Sequence, residues 1–350
     1  MRASDFRSDT VTRPTPAMRE RMHSAEVGDD VLDGDPTVRR LEQTAARMLG
    51  KAAALFVPSG TMANQVALGA WTRPGDELVA ERSAHVVTWE AGAPGYLHGL
   101  QSTTLESPGG GLEPELLERV LRPKSVHCPR TALISLEQSF MGGGEVPGGR
   151  VIPLDSLQRT QAFARAHGIP VHLDGARLFH AAVASGIEAA RHAACADSVS
   201  ICLSKGLGAP VGSLILGDEA FAERARLVRK RLGGWMRQAG SLAAAGLYAL
   251  EHHVARLADD HRLAQSLARA LHGLPGLSCD PRDVETNIVM VQVRHPRFDA
   301  AGLMEALKPA GVLVLPMTRH SLRFVTHLDV GPADVARLEA AAVNLLGARP

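Results

Sequence analysis

Lys205 ends an apolar stretch, Ser200-Ile201-Cys202-Leu203-Ser204, after which the chain turns through Gly206, Gly208 and Gly212. A lysine delivered by a strand into an apolar wall is not placed as a solvated charge. Low-dielectric surroundings disfavour its ammonium form, so the pKa falls and the amine becomes a nucleophile toward an aldehyde, the chemistry of a Schiff-base lysine. Upstream, the apolar run Val171-His172-Leu173 delivers Asp174 to the turn Gly175-Ala176-Arg177. The lysine can carry an aldehyde as an imine, and the aspartate can keep a pyridine nitrogen protonated. Together they point to pyridoxal 5'-phosphate, whose protonated ring is an electron sink.

A phosphate needs its own seat. In Pro58-Ser59-Gly60-Thr61-Met62-Ala63-Asn64, small residues follow an apolar run and open a helical pattern. Gly60 and Thr61 can there present N–H groups and a hydroxyl at a positive helix end. Read alone, the segment is also the pattern of a tight turn; beside Asp174 and Lys205 it reads as a phosphate site. The glycines at 206, 208 and 212 lack the dinucleotide spacing and precede a strand, so a nicotinamide cofactor is not favoured.

The elements that must position these groups are those of an ordinary globular chain. Hydrophobic residues make up 45% and charged residues 21% of the 350 residues, values that disfavour disorder and supply a sizeable core. The net charge is +1 with 38 basic residues spread along the chain, so there is no electrostatic case for nucleic acid. The basic cluster Arg224 to Arg231 reads as the solvated face of a helix. No apolar run approaches the ~18 residues of a membrane span, and Met1 to Phe6 lacks a signal-peptide core; a soluble, cytoplasmic protein is the expectation. Cys128, Cys195, Cys202 and Cys279 show no C-x-x-C spacing and read as reduced thiols, and no metal site is expected.

Short apolar runs alternate with amphipathic stretches, which predicts an α/β fold with a mostly parallel sheet between helices. Strands are predicted over 53–57, 78–80, 132–136, 171–173, 198–203 and 213–216, and helices over 61–71, 113–121, 154–167 and 219–231. A further helix starts at Asp35-Pro36, aspartate as N-cap and proline in the first turn, and stops at Gly50. One long helix is predicted from Ser241 to Leu271. The order then becomes strand (286–293), helix (299–307), strands (312–315, 322–326) and helix (332–346), a smaller block with antiparallel character. This divides the chain into a large domain with an N-terminal arm, residues 1–240, and a small C-terminal domain, 241–350. The glycine-rich loop from Phe140 to Arg150 reads as mobile.

Over nearly its whole length the chain resembles low-specificity L-threonine aldolases, fold type I pyridoxal phosphate enzymes of the β-eliminating lyase group. The resemblance is carried by Phe6-Arg7-Ser8-Asp9-Thr10-Val11-Thr12, by Gly28-Asp29-Asp30-Val31 with Asp35-Pro36-Thr37, and by Ser59 to Asn64. It continues through His85, Glu90-Ala91-Gly92, Leu173 to Phe179, Ser198 to Ser213, Gly233 to Gln238 with Ala243 to Gly246, and Phe324 to Asp329. It implies a seven-stranded large-domain sheet and a homotetramer, a dimer of dimers with sites at subunit interfaces. It makes Lys205 the imine lysine, Asp174 the partner of the pyridine nitrogen, and His85 a ring-facing residue able to serve as base. Without that matching motif, a solitary histidine after a strand reads as structural. Ser8, Arg177 and Arg323 become contacts of the substrate carboxylate, a task suited to the planar arginine fork. Arg177 also counts among the cofactor contacts with Gly60, Thr61, Lys230 and Arg237, the last two in part from a neighbouring subunit. Considered alone, Arg177 is also a helix-start surface charge, and Arg323 a partner in a structural ion pair.

The implied activity is cleavage of L-threonine, L-allo-threonine and other L-β-hydroxy-α-amino acids to glycine and an aldehyde. A β-elimination on the same scaffold and a non-catalytic cofactor-binding homologue are the alternatives. The chain departs from the family where it reads Leu136-Glu137-Gln138-Ser139-Phe140-Met141 in place of Leu-Glu-Asn-Thr-His-Asn, and where Leu32 replaces a common tyrosine. Trp89 falls where an aromatic residue is frequent. With Phe140 and Leu32 beside the substrate, the pocket beyond Cβ would favour phenylserine-like substrates; the alternative is that Phe140 points into the core.

Overall fold

The computed structural model describes residues 2–143 and 148–349; residues 144–147, part of the loop read as mobile, lie outside the described residues. The first strand, β1 (Ser4–Asp5), belongs to the C-terminal half of the molecule, as shown below. The next seven are β2 (Ala53–Val57), β3 (Glu77–Glu81), β4 (Gln101–Leu105), β5 (Thr131–Glu137), β6 (Val171–Asp174), β7 (Ser198–Cys202) and β8 (Ser213–Gly217). They form one sheet in the order β2-β8-β7-β6-β5-β3-β4. Neighbours from β7 to β4 pair in parallel, whereas β8 runs antiparallel to both β7 and β2. The sheet is therefore mostly parallel, as predicted. Its inner strands are buried along their length because helices cover both faces.

The predicted start and stop of the helix after Gly34 are present. Asp35 accepts hydrogen bonds from the Thr37 and Val38 N–H groups, Pro36 opens the Pro36–Leu49 helix, and Gly50 ends it at φ 63°. Two expectations need correction. The helix placed at 113–121 is confined to Pro114–Glu118. The long helix placed at 241–271 is two helices, Gly240–His252 and Leu257–Leu271. The two bury different surfaces: Ala243, Leu247 and Leu250 pack in the core beneath the large sheet, Leu267, Ala268 and Leu271 in a second core. At the break, His253 Nδ1 bonds the Leu207 carbonyl at 2.7 Å and Arg256 bonds that of Gly206 at 3.3 Å, so the interruption is tied to the turn after Lys205.

The C-terminal strands are β9 (Leu277–Ser278), β10 (Ile288–Val293), β11 (Val312–Leu313), β12 (Leu315–Thr318) and β13 (Ser321–Val325). Four of them make the antiparallel sheet β12-β13-β10-β9, which confirms the predicted antiparallel character. β1 pairs in parallel with β11, and Phe6 is buried in the second core. The N-terminal arm is thereby anchored on the C-terminal layer, and residues 7–9 are carried between the two cores.

Candidate active site

The carboxyl ends of the parallel strands gather the polar groups, as the geometry of open α/β sheets requires. Glu137 and Asp174 end β5 and β6 as register partners, and Asp174 is also paired with Ser200 of β7. Lys205 follows β7, half-buried, and its amine forms no hydrogen bond or ion pair with the described residues. Its carbonyl is held by the Gly208 N–H at 2.8 Å and by the Thr12 hydroxyl at 3.2 Å. Gly208 must be glycine: its φ is +79°, and a Cβ there would lie 2.5 Å from Leu328.

Asp174 is buried and accepts from Asn64 Nδ2 at 2.7 Å and from the Ala176 N–H at 3.0 Å. Burial works against its ionised form, but the charges of Lys205 and His85 and the Asn64 amide outweigh it, holding the carboxyl below the usual range. His85 opens the His85–Thr88 helix, and its Nδ1 lies 2.9 Å from Glu90 Oε1. The carboxylate makes Nδ1 the protonated nitrogen and leaves Nε2 as the free one. Burial depresses the His85 pKa, yet Glu90 and Asp174 prevail and raise it. Buried Glu137 accepts the His85 N–H at 2.6 Å and the Met141 N–H at 2.7 Å, fixing both segments; burial, reinforced by Asp174, pushes its pKa up to about 7.

His85, Glu90 and Asp174 hold ligand-type atoms within 4.8 Å of one another. Asn64 donates to Glu90 at 2.8 Å as well as to Asp174, so amide hydrogens occupy the space between the two carboxylates that a cation would need.

Arg323, on β13, is buried and among the described residues has no carboxylate bonded to it: Nη1 contacts the Met141 sulfur at 3.3 Å, Nη2 the Arg7 carbonyl at 3.3 Å, and Nε has no partner there. Burial and the neighbouring Arg177 lower its pKa to about 10, which still leaves it cationic at neutral pH. A buried guanidinium without a counter-ion is costly unless an anion completes it. Arg177, by contrast, gives Nε and Nη2 to Asp9 at 2.9 and 2.6 Å, leaving Nη1 outside the pair. Ser8 lies in the chain between Arg7, whose carbonyl contacts Arg323, and Asp9, which binds Arg177; its hydroxyl accepts from the Thr10 N–H at 3.2 Å and from the Thr10 hydroxyl at 2.9 Å.

At the start of the Gly60–Trp71 helix, Ser59 Oγ accepts from the Met62 N–H at 3.1 Å, while the Gly60 and Thr61 N–H groups have no partner among the described residues. A Cβ at Gly60 would lie 2.6 Å from Cys202 Sγ, so glycine lets this helix end reach β7. Lys230 and Arg237 are exposed. Lys230 Nζ lies 6.0 Å from the Trp235 ring centroid, and Arg237 pairs with Asp29 at 3.0 Å; neither bonds to Lys205, His85 or Asp174.

These groups suit pyridoxal phosphate: an unpaired amine, an ionised carboxylate for the ring nitrogen, a histidine beside them, and unpaired N–H groups at a helix end. Sequence reasoning did not assign Asn64, Glu90, Glu137, Ser200 or Asp9, although each stands in one of the motifs given above. Their signal was a polar side chain at an apolar position. The placement of Phe140 beside the substrate is corrected: its ring is buried in the large core, where it would meet any Cβ at Gly110 at 2.4 Å. Met141, its neighbour, is the residue that touches Arg323. Leu32 is solvent-exposed, and Trp89 half-exposed on the wall of a cavity of about 480 Å³ with Ser83, Thr88, Gly142 and Met317.

The sheet order, the lysine after β7 and the aspartate ending β6 define the large-domain plan of fold type I pyridoxal phosphate enzymes. The chain belongs to the Beta-eliminating lyase family, which matches residues 5–296. It is 43% identical over 340 residues to the probable low-specificity L-threonine aldolase 2 of Arabidopsis thaliana, covering 96% of this chain and 95% of that one. It is 42% identical over 339 residues to the low specificity L-threonine aldolase of Escherichia coli K12, covering 96% and 97%. The fold is shared with the threonine aldolase of Leishmania major, with a TM-score of 0.81 at 20% identity over 98% of this chain and 99% of that one.

Proposed function

We propose that the protein is a pyridoxal phosphate-dependent aldehyde-lyase that cleaves L-threonine, L-allo-threonine and related L-β-hydroxy-α-amino acids to glycine and an aldehyde. The observation that carries this reading is Arg323, a buried cation with no ion-pair partner among the described residues, held against the Arg7 carbonyl next to Ser8, in the arm whose Asp9 binds Arg177. A substrate carboxylate completes it.

Lys205 would hold the cofactor's aldehyde and the Gly60 and Thr61 N–H groups its phosphate, and the group would supply an electron sink for the bond cleaved at Cα. Asp174 keeps the ring nitrogen protonated. Arg323, Ser8 and the free edge of Arg177 hold the carboxylate, and this orients Cα–Cβ for cleavage. His85 Nε2, with Nδ1 fixed on Glu90, takes the proton of the β-hydroxyl as the aldehyde leaves. The cavity walled by Trp89 and Met317 adjoins the His85 helix and receives the β-substituent.

The reading includes a homotetramer, in which exposed Lys230 and Arg237 reach the phosphate of a neighbouring subunit, and a cytoplasmic location; no helix among the described residues is long and apolar enough to cross a membrane. It also includes a two-domain chain. The packing of the Gly240–His252 helix in the large core supports a boundary in the turn at 253–256. Product identification tests the activity: glycine with acetaldehyde from L-threonine, and with benzaldehyde from L-phenylserine, is expected. A 2-oxo acid and ammonia from L-threonine would establish elimination instead.

A further inference from the structure

Behind Asp174 a line of buried polar groups crosses the sheet. Trp71 Nε1 donates to Ser198 Oγ at 2.9 Å, Ser198 Oγ lies 3.0 Å from His172 Nδ1, and His172 Nε2 lies 3.1 Å from Asn64 Oδ1. Asn64 Nδ2 then reaches Asp174 at 2.7 Å and Glu90 at 2.8 Å. His172 and Ser198 are fully buried and Asn64 nearly so.

Both ends of the line set the same direction. An indole N–H only donates, so Ser198 accepts there and has its own hydrogen for His172 Nδ1. At the other end, two carboxylate oxygens require the NH2 side of Asn64, which turns its Oδ1 toward His172 as an acceptor. His172 must then carry its hydrogen on Nε2. Burial lowers its pKa to about 4, so it has only that one hydrogen across the neutral range. Ser200 Oγ adds a second donor to Asn64 Oδ1 at 3.0 Å and so supports the same amide orientation.

We propose that His172 is a positioning residue for the cofactor: held in the Nε2–H form by Ser198, it fixes the Asn64 amide that clamps Asp174 and the Glu90–His85 pair together. It touches neither cofactor nor substrate. Its effect reaches two groups at once, the carboxylate serving the ring nitrogen and the histidine serving as base, because Asn64 spends one hydrogen on each. The proposal rests on the pyridoxal phosphate reading of the site.

Two measurements test it. In cofactor-free protein labelled with ¹⁵N-histidine, the His172 ring, assigned by its loss in His172→Gln, is expected to show the Nε2–H tautomer without titrating between about pH 5 and 8. An Nδ1–H ring, or titration in that range, overturns the proposal. This holds even if the protein binds no pyridoxal phosphate, an outcome that would sink the functional reading separately. In the holoenzyme, His172→Leu is expected to weaken pyridoxal phosphate binding about tenfold, the loss of one buried hydrogen-bond link, and to shift the pH midpoint of the cofactor absorbance change. His172→Gln, which can accept from Ser198 and donate to Asn64, is expected to restore both. Equal behaviour of the two variants reduces His172 to a space filler and overturns the proposal. Should His172→Leu not fold, Ser198→Ala carries the same test through a smaller shift, and an unchanged midpoint there also overturns it.

Discussion

Asp9 and Arg177 form a buried two-point ion pair, 2.6 and 2.9 Å, that fastens the N-terminal arm to the turn after β6. Asn287 Nδ2 adds a contact to the same carboxylate at 3.2 Å. The pair holds the Nε–Nη2 edge of Arg177, whose charge acts on the neighbouring Arg323, so the arm fixes this arginine without being part of the sheet that bears the lysine.

Asp9→Asn is expected to cost roughly 3 to 5 kcal/mol of stability, because it leaves a buried guanidinium uncompensated. Burial opposes the ionised form of Asp9, but Arg177 outweighs it and holds the folded pKa far below the usual carboxylate range. A depressed carboxyl stabilises fully above its unfolded pKa and loses that contribution as pH falls toward the folded one. Thermal melts of wild type should therefore fall below about pH 4, and the variant should lack this component of the decline. Parallel acid limbs would remove Asp9 as their source.

Arg323→Lys is expected to lower kcat/KM by about 10² or more, since one ammonium cannot replace a fork that meets a carboxylate at two points. Steady-state kinetics with L-threonine reads this directly. A change under about threefold would take Arg323 out of the carboxylate site.

Glu90→Gln tests the base. Glu90 is a principal reason the His85 pKa is raised, so its neutral replacement lets burial pull that pKa down. His85 must be unprotonated on Nε2 to act, and the acid limb of kcat/KM should move to lower pH in the variant. The maximum should fall because Nδ1 is no longer held by a charge. A limb that stays in place would assign the base elsewhere.

The positions of Lys205, Asp174 and the turn that opens the Gly60–Trp71 helix were legible in the chain because each is a polar interruption of an apolar run, and strands of a covered parallel sheet are such runs. β4 was not, since Gln101-Ser102-Thr103-Thr104-Leu105 lies at the sheet edge, partly exposed, and needs no apolar pattern. The Asp9–Arg177 pair was hidden by its sequence separation of 168 residues. Helical periodicity likewise runs smoothly through residues 241–271, and only the change from one core to the other shows why the helix breaks.

Glu137→Gln bears on stability as well as on rate. The folded pKa of Glu137 is raised to about 7 from 4.5, so its contribution is present below the unfolded value and is lost as pH rises toward the folded one. Between about pH 4.5 and 7 the wild-type melting temperature should carry a downward component that the glutamine variant lacks. Melts with equal slopes over that window would show that Glu137 does not titrate there.

Phe140 and Trp89 separate two accounts of substrate preference. Phe140 is sealed in the large core, so Phe140→His should cost about 2 to 4 kcal/mol of stability, a filled apolar site exchanged for a polar ring. It should leave the ratio of kcat/KM for L-phenylserine over L-threonine unchanged. Trp89, half-exposed on the cavity beside the His85 helix, is placed to cover an aromatic β-substituent. Burying such a ring contributes roughly 1 to 3 kcal/mol, so Trp89→Ala should lower the phenylserine term about tenfold while the small threonine methyl loses little. Kinetics of both substrates with both variants decides between them. A ratio that moves with Phe140→His and not with Trp89→Ala would place the β-substituent on the other side of the sheet end, against the β5 loop rather than the cavity.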